Sequence, residues 1–121
     1  MAVQSYKELI VWQKSMELVV EVYALTEKFP KSELYGLVMQ MRRCSVSIPS
    51  NIAEGRRRGS KKDLRQFFIV AFGSGAELET QVEIARRLPF GKDMDYIRVD
   101  LLLDQVMRIL NTIIQKLQAT S

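Results

Sequence analysis

The stretch RRCSVSIPSNIAEGRRRGSKK, residues 42–62, decides the fold because it places a proline inside an apolar pattern of helical spacing. Apolar positions recur every three or four residues on both sides of Pro49, so the pattern keeps a single helical phase. A break at Pro49 would leave residues 50–58 too short and too polar to form a helix alone. Proline lacks an N–H and crowds the carbonyl four residues earlier, here that of Ser45. We therefore predict one helix with a kink at Pro49.

The rest of the chain contains three more segments with helical apolar spacing and no competing strand-like alternation. The four predicted helices span about residues 6–28, 33–58, 61–88 and 94–118. Residues suited to capping precede them, namely Ser5 (with Glu8), Ser32, Ser60 (with Asp63) and Asp93. Because the connections are short, neighbouring helices should be antiparallel. We predict an all-α fold, an up-down-up-down antiparallel four-helix bundle, that forms a single domain over residues 1–121.

The first predicted helix has more apolar surface than one bundle core uses. The stripe around Met16 is predicted to face the core and contains Leu9, Trp12, Met16, Val19, Val20 and Tyr23. A second stripe lies nearly opposite and contains Val11, Leu18, Val22, Leu25 and Phe29. The fourth helix is also apolar over an arc of roughly 160°, which is wider than the usual apolar stripe of about 100°. A long exposed apolar stripe normally marks an interface. We predict a homo-oligomer that associates through the second stripe; the alternative is an irregular bundle with both stripes internal.

Positive charge is concentrated around the junction of the second and third predicted helices. The 121 residues contain 18 Lys and Arg against 14 Asp and Glu. Residues 42–65 hold eight of these basic and two of these acidic side chains, so this segment carries +6 and the remainder −2. A localised basic patch is the electrostatic footprint expected for a polyanion partner. The alternative reading is a solvated face of the bundle.

The order of charges along this junction favours the binding of an anion. Arg56, Arg57 and Arg58 end the second helix, where cations suit the helix dipole. Lys61 and Lys62 instead open the third helix, where positive charge opposes the dipole. A phosphate bound at that helix N-terminus would resolve the conflict. Base stacking is not predicted, because the nearby Phe67 and Phe68 are predicted to lie in the core. The predicted nucleic-acid contacts are Arg56, Arg57, Arg58, Ser60, Lys61, Lys62 and Arg65.

Several kinds of chemistry are excluded by composition. The chain has no histidine and one cysteine, Cys44, and it lacks a CxxC motif, a P-loop and a dinucleotide-binding turn. We therefore expect a protein that is not an enzyme, with no metal and no cofactor. Arg42 and Arg43 are expected to pair with Glu77 or Glu79 as a structural feature. No apolar run reaches the roughly 18 residues of a membrane span, and the N-terminus lacks a signal-like apolar region, so a cytoplasmic protein is expected.

The motifs YKELIVWQKSMELV, YALTEKFPKSELYGL, QMRRCSVSIPSNIAEG and GSGAELETQ closely resemble the 23S rRNA-intervening-sequence protein family, also called four helix bundle proteins. The likeness spans about residues 6–90. It implies a small bacterial four-helix bundle that forms closed homopentamers. A more distant resemblance extends to accessory proteins of diversity-generating retroelements, which are basic pentamers that work with a reverse transcriptase and RNA. This chain departs from the family at Gly75, which is smaller than expected, and at Arg56–Arg58, which are more basic.

Together these features predict a homo-oligomeric, pentameric adaptor that binds RNA or DNA through the basic junction. The alternative is an oligomeric protein-interaction scaffold whose partner is another protein, such as a reverse transcriptase or other polymerase, without a direct nucleic-acid role.

Overall fold

The computed structural model describes residues 5–119, and four long helices carry the fold within that range. They are α1 (Ile10–Thr26), α2 (Met39–Arg57), α3 (Lys61–Arg87) and α4 (Ile97–Ala119). The described residues contain no β-strand. The predicted all-α class with four helices is therefore confirmed.

The first helix begins later than predicted. Tyr6–Glu8 form a 3-10 turn, and Leu9 is extended, with φ −71° and ψ 128°. The Ser5 hydroxyl accepts a hydrogen bond from the Lys7 amide at 3.2 Å, so Ser5 caps this short turn rather than a long helix. The extended Leu9 separates the turn from α1, which therefore starts at Ile10.

The segment between α1 and α2 is the largest departure from the predicted boundaries. Lys31–Glu33 form a 3-10 turn that includes Ser32, and Leu34–Val38 form a wide π-type turn. Gly36 lies outside helical geometry, with φ −106° and ψ −110°, and the Glu33 carboxylate accepts from the Leu37 amide at 3.4 Å. Regular α2 geometry therefore begins at Met39 and not near residue 33.

The second helix runs through its proline without a break. Pro49 lies inside α2 and is buried. Hydroxyl groups on both sides donate to backbone carbonyls of the same helix: Ser45 to Arg42 and Ser50 to Val46, each at 2.8 Å. The prediction of one continuous helix is confirmed, whereas the bend at Pro49 stays a prediction.

The sequence predicts the N-terminal end of α3 correctly but not the N-terminal end of α4. Ser60 caps α3 as predicted, because its hydroxyl accepts from the Asp63 amide at 3.1 Å. For α4 the predicted cap at Asp93 is wrong. The Asp95 carboxylate accepts from the Ile97 amide at 2.9 Å, and the Tyr96 hydroxyl donates to the Gly91 carbonyl at 2.7 Å. Because these two hydrogen bonds stabilise a turn over residues 91–97, α4 begins at Ile97.

The core contains the second α1 stripe and only part of the first. The five residues predicted as an oligomer interface (Val11, Leu18, Val22, Leu25 and Phe29) are all buried inside the single chain. Of the stripe predicted to face the core, Leu9 and Trp12 are partly buried against the core and Val19 is half-buried. Met16, Val20 and Tyr23 are exposed, with Val20 64% accessible. The prediction of the interface stripe is therefore wrong. Both stripes are apolar, and only packing against the other helices selects the buried one.

Candidate nucleic-acid interface

The junction between α2 and α3, residues 56–65, is called the basic turn below. α2 ends at Arg57 and α3 begins at Lys61. Gly55 allows the two helices to approach closely before the turn, because a Cβ at this position would lie 2.8 Å from the Phe67 Cβ. Arg56, Arg57 and Arg58 therefore lie at the end of α2, and Lys61, Lys62 and Arg65 lie in the first turns of α3.

Two of the predicted cations have partners within the protein. Arg58 forms an ion pair with Glu54 at 3.0 Å, and its guanidinium lies 4.9 Å from the centre of the Phe67 ring. Arg65 donates to the Ile114 carbonyl and to the Gln118 side chain, each at 3.2 Å. Arg65 therefore joins the start of α3 to the C-terminal part of α4, where a cation suits the helix dipole. Arg58 and Arg65 therefore stabilise the fold through these contacts and also contribute positive charge to the basic turn.

The other cations of the basic turn have no acidic partner in the part of the chain that the structure describes. Within residues 5–119, no carboxylate forms an ion pair with Arg56, Arg57, Lys61 or Lys62. Arg57, Lys61 and Lys62 are exposed, and Arg56 is half-buried. The two lysines occupy the first turn of α3, where the helix dipole repels positive charge. The exposed positive charge of this arrangement would attract an anion.

An aromatic pair that the sequence did not predict lies beside these cations. The Arg57 guanidinium lies 5.6 Å from the centre of the Tyr6 ring, and Tyr6 meets Trp12 edge-to-face at 5.5 Å. Both aromatic side chains are partly exposed. Tyr6 and Trp12 are far from Arg57 in the sequence, and no local pattern links the start of the chain to the end of α2. The contact could therefore not be predicted from the sequence.

The predicted pairing of Arg42 and Arg43 with Glu77 or Glu79 is wrong for Arg42. Arg42 turns toward α1, where its Nε donates to the Thr26 hydroxyl at 2.9 Å and its Nη2 lies 3.2 Å from the Glu27 carboxylate. Its guanidinium also lies 4.5 Å from the centre of the Tyr23 ring. This position on α2 faces α1, so α3 is out of reach. Arg43, Glu77 and Glu79 are exposed, and none forms an ion pair in the described part of the chain.

The single thiol lies in a polar contact between α2 and α3. The Cys44 thiol donates to the Glu77 carboxylate at 3.7 Å and accepts from the Gln81 amide at 3.4 Å. Burial raises the pKa of the Cys44 thiol, and Glu77 adds to the rise. A raised pKa disfavours the thiolate, which is the reactive form. Across the described residues, no group of three cysteine or carboxylate side chains could hold a metal ion.

The family model described as 23S rRNA-intervening sequence protein matches residues 7–112 of this chain. The chain belongs to this family. The match includes the basic turn and all but the last residues of α4. The family match therefore includes α1, α2 and α3 and the greater part of α4.

One similar solved structure is that of an S23 ribosomal protein family member of unknown function from Bacteroides thetaiotaomicron VPI-5482. The two chains superpose with a TM-score of 0.75 at 21% sequence identity, over 87% of this chain and 98% of the other. At this identity the likeness establishes a shared fold. No match was found among curated proteins.

This member of the intervening-sequence family has no candidate membrane span in its described part. Between residues 5 and 119, none of the helices is both long enough and apolar enough to cross a bilayer.

Proposed function

We propose that this protein is a non-enzymatic adaptor that binds the phosphates of RNA or DNA at the basic turn. The observation that carries the proposal is the pair Lys61 and Lys62, exposed in the first turn of α3 without a carboxylate partner among the described residues. A phosphate at this helix end would accept backbone N–H bonds and neutralise both side chains. Arg57 adds a third exposed cation from the end of α2.

RNA is the first polyanion to test. The family to which the chain belongs is named for an intervening sequence of 23S rRNA. Phosphate contacts alone do not distinguish RNA from DNA, since they carry little sequence information. The RNA assignment rests on the family description, and the phosphate assignment rests on the charges of the basic turn.

We also infer that neighbouring helices run antiparallel and that α2 bends at the buried Pro49. The contacts between α1 and α2 support the first inference. Arg42, near the start of α2, bonds to Thr26 at the end of α1. Arg57, at the end of α2, lies over Tyr6, which precedes α1. This order would put the basic turn of each copy at one end of its bundle.

The proposed adaptor is a homo-oligomer, and its contact surface is an exposed apolar groove between α1 and α2. The groove has a volume of about 440 Å³, and its apolar lining comprises Tyr23, Leu34, Tyr35, Val38, Met39 and Val46. Tyr35 is 81% accessible. Exposed apolar surface of this kind favours association. The resemblance to pentameric relatives favours a ring of five, in which several basic turns would bind one nucleic acid with increased avidity.

The test is a gel-shift with a structured RNA and a charge-reversed variant, Arg57→Glu with Lys61→Glu and Lys62→Glu. The variant should lose RNA binding, because three favourable phosphate contacts become repulsive. Wild-type binding should also weaken steeply with salt, with a slope of about 0.9 per phosphate contact in duplex B-DNA and somewhat less for single strands.

The matched control reverses three exposed lysines elsewhere, Lys28, Lys31 and Lys92, so that net charge changes equally. This control should keep most of the binding. Equal RNA retention by the charge-reversed variant and the wild type would overturn the phosphate proposal. Equal loss in both variants would also overturn it, because the effect would then follow net charge and not the basic turn.

The second candidate function is a scaffold that binds another protein, such as a reverse transcriptase or other polymerase. The apolar groove beside Tyr35 favours it, since such a surface suits a protein partner as well as a second copy. Salt-insensitive capture of one purified candidate polymerase, without nucleic acid and with Tyr35→Glu abolishing capture, would support this alternative.

A further inference from the structure

A second groove between α1 and α2 lies at the end of the bundle that carries the basic turn. It has a volume of about 310 Å³ and is lined chiefly by Tyr6, Trp12, Met16, Val46, Pro49 and Ala53. It shares Val46 alone with the larger groove that contains Tyr35. Its size is at the low end of the range for small-molecule sites, about 300–1,000 Å³. The two grooves can therefore have different occupants.

The chemistry of this groove combines aromatic rings with an adjacent cation. Tyr6 and Trp12 meet edge-to-face, and the Arg57 guanidinium lies 5.6 Å from the Tyr6 ring centre. Among residues 5–119, no charged side chain lines the groove itself. A ligand with a flat aromatic ring and an attached anion matches this pattern, because the face of the ring would stack in the groove while the anion met Arg57.

We propose that this groove binds an unpaired nucleobase of the nucleic acid whose phosphates contact the basic turn. The inference rests on the proposed function and names the form of nucleic acid involved. A base in a duplex is stacked and cannot enter, whereas an unpaired base can stack on exposed aromatic side chains. One ribose joins the base to its phosphate, so the base in the groove and the phosphate at Arg57 belong to the same or the next nucleotide. The protein is thus selective for single-stranded or looped regions.

The predicted preference can be measured with two RNAs of equal phosphate count. One is a single strand of about twelve nucleotides, within the usual range of site sizes, and the other is the same strand with abasic riboses. The strand with bases should bind about 5- to 150-fold more tightly, which corresponds to one stacked base. Trp12 is the only tryptophan in the chain, so its fluorescence reports directly on the groove. The strand with bases should quench this emission, and the abasic strand should not.

Substitution of Tyr6 tests the role of the ring. Tyr6→Ala should remove most of the preference for bases and leave the affinity for the abasic strand within about twofold, since the phosphate contacts remain. Tyr6→Phe retains the ring and should restore the preference. Far-UV circular dichroism of both variants checks that the bundle remains folded.

The outcomes separate this inference from the proposed function. Equal, salt-sensitive binding of both strands would overturn the base site and leave phosphate binding intact. Binding of neither strand would overturn the base site, and it would overturn the phosphate proposal as well only if the structured RNA of the gel-shift also failed to bind. Trp12 emission that changes with protein concentration but not with RNA would show that a second copy covers the groove, which also overturns the base site.

Discussion

The backbone of Gly75 in α3 lies directly against the side chain of Met107 in α4. A Cβ at position 75 would overlap the Met107 sulfur, whereas a Cβ at Gly73 would meet nothing within 4 Å. Two glycines of one short motif thus have different roles. The small residue at position 75, unexpected from the family resemblance, is matched by a long, flexible side chain from α4 that fills the space.

Substitution of the two glycines by alanine should therefore have unequal effects. Gly73→Ala should raise the free energy of unfolding by about 1 kcal/mol, because alanine is the better helix former. Gly75→Ala should raise it by less, because the new Cβ displaces the Met107 sulfur, and moving the end of this flexible side chain offsets part of the gain in propensity. In a Met107→Ala background the full gain of about 1 kcal/mol should return. Denaturant unfolding of the wild type and the four variants checks this, and equal gains at both glycines in the presence of the Met107 side chain would contradict it.

Arg42 and Arg43 should contribute differently to stability. Arg42→Ala should lower the free energy of unfolding by about 1–2 kcal/mol, through loss of the hydrogen bond to Thr26 and of the contact with the Tyr23 ring. The ion pair with Glu27 adds little, because that carboxylate is 81% accessible. Arg43→Ala should change stability by less than about 0.5 kcal/mol. Thermal unfolding of both variants is the measurement, and a larger loss for Arg43→Ala would favour the pairing with Glu77.

Alkaline pH should destabilise the turn that precedes α4. Burial raises the pKa of the Tyr96 hydroxyl above its ordinary value of 10.0, with a smaller opposing effect of the nearby Arg86 guanidinium. A raised pKa means that the folded state holds the proton more tightly. The resulting stabilisation is complete below about pH 10 and is lost as pH rises through the higher pKa of the folded protein.

The Tyr96→Phe variant isolates this effect. It should lose about 1 kcal/mol near neutral pH with the hydrogen bond to the Gly91 carbonyl. Its difference in free energy of unfolding from the wild type should narrow above pH 10, because the Tyr96 hydroxyl of the unfolded wild-type chain ionises there and stabilises the unfolded state. Urea unfolding at several pH values measures this difference. A difference that stays constant up to pH 12 would contradict the raised pKa.

The two faces of α1 should respond differently to truncation. Leu18 is fully buried, so Leu18→Ala should lower the free energy of unfolding by about 2–5 kcal/mol. Val20 is exposed, and Val20→Ala should change it by less than about 0.5 kcal/mol. Chemical denaturation followed by circular dichroism is suitable. Equal costs at both positions would indicate that the buried and exposed stripes are not as described.

The proposed oligomer should depend on the groove that contains Tyr35. Tyr35→Glu should lower the mass of the particle in light scattering, because a charge in an apolar interface is costly to desolvate. Ile97→Glu, at another strongly exposed apolar position outside this groove, is the matched control and should leave the mass unchanged. A wild-type protein that stays monomeric at high concentration would contradict the oligomer.

The sequence predicted features that depend on neighbouring residues. Ser60 caps α3 because its hydroxyl reaches an amide three residues ahead, and the helical phase continues through Pro49 because apolar spacing is a local property. A helix boundary was harder to predict where it depends on a hydrogen bond to a residue several positions away in the sequence. α4 begins at Ile97 because Tyr96 bonds back to Gly91, and no cap preference of Asp93 could reveal that hydrogen bond.

The sequence alone therefore determined that the chain forms four helices and that positive charge gathers where α2 meets α3. Tertiary structure alone decided which apolar stripe of α1 is buried, which arginines are held by intramolecular partners, and that Tyr6 lies beside Arg57. The reason is physical. Helix formation and charge order follow from interactions within a few residues, whereas burial and side-chain partners depend on contacts between segments that are distant in the chain.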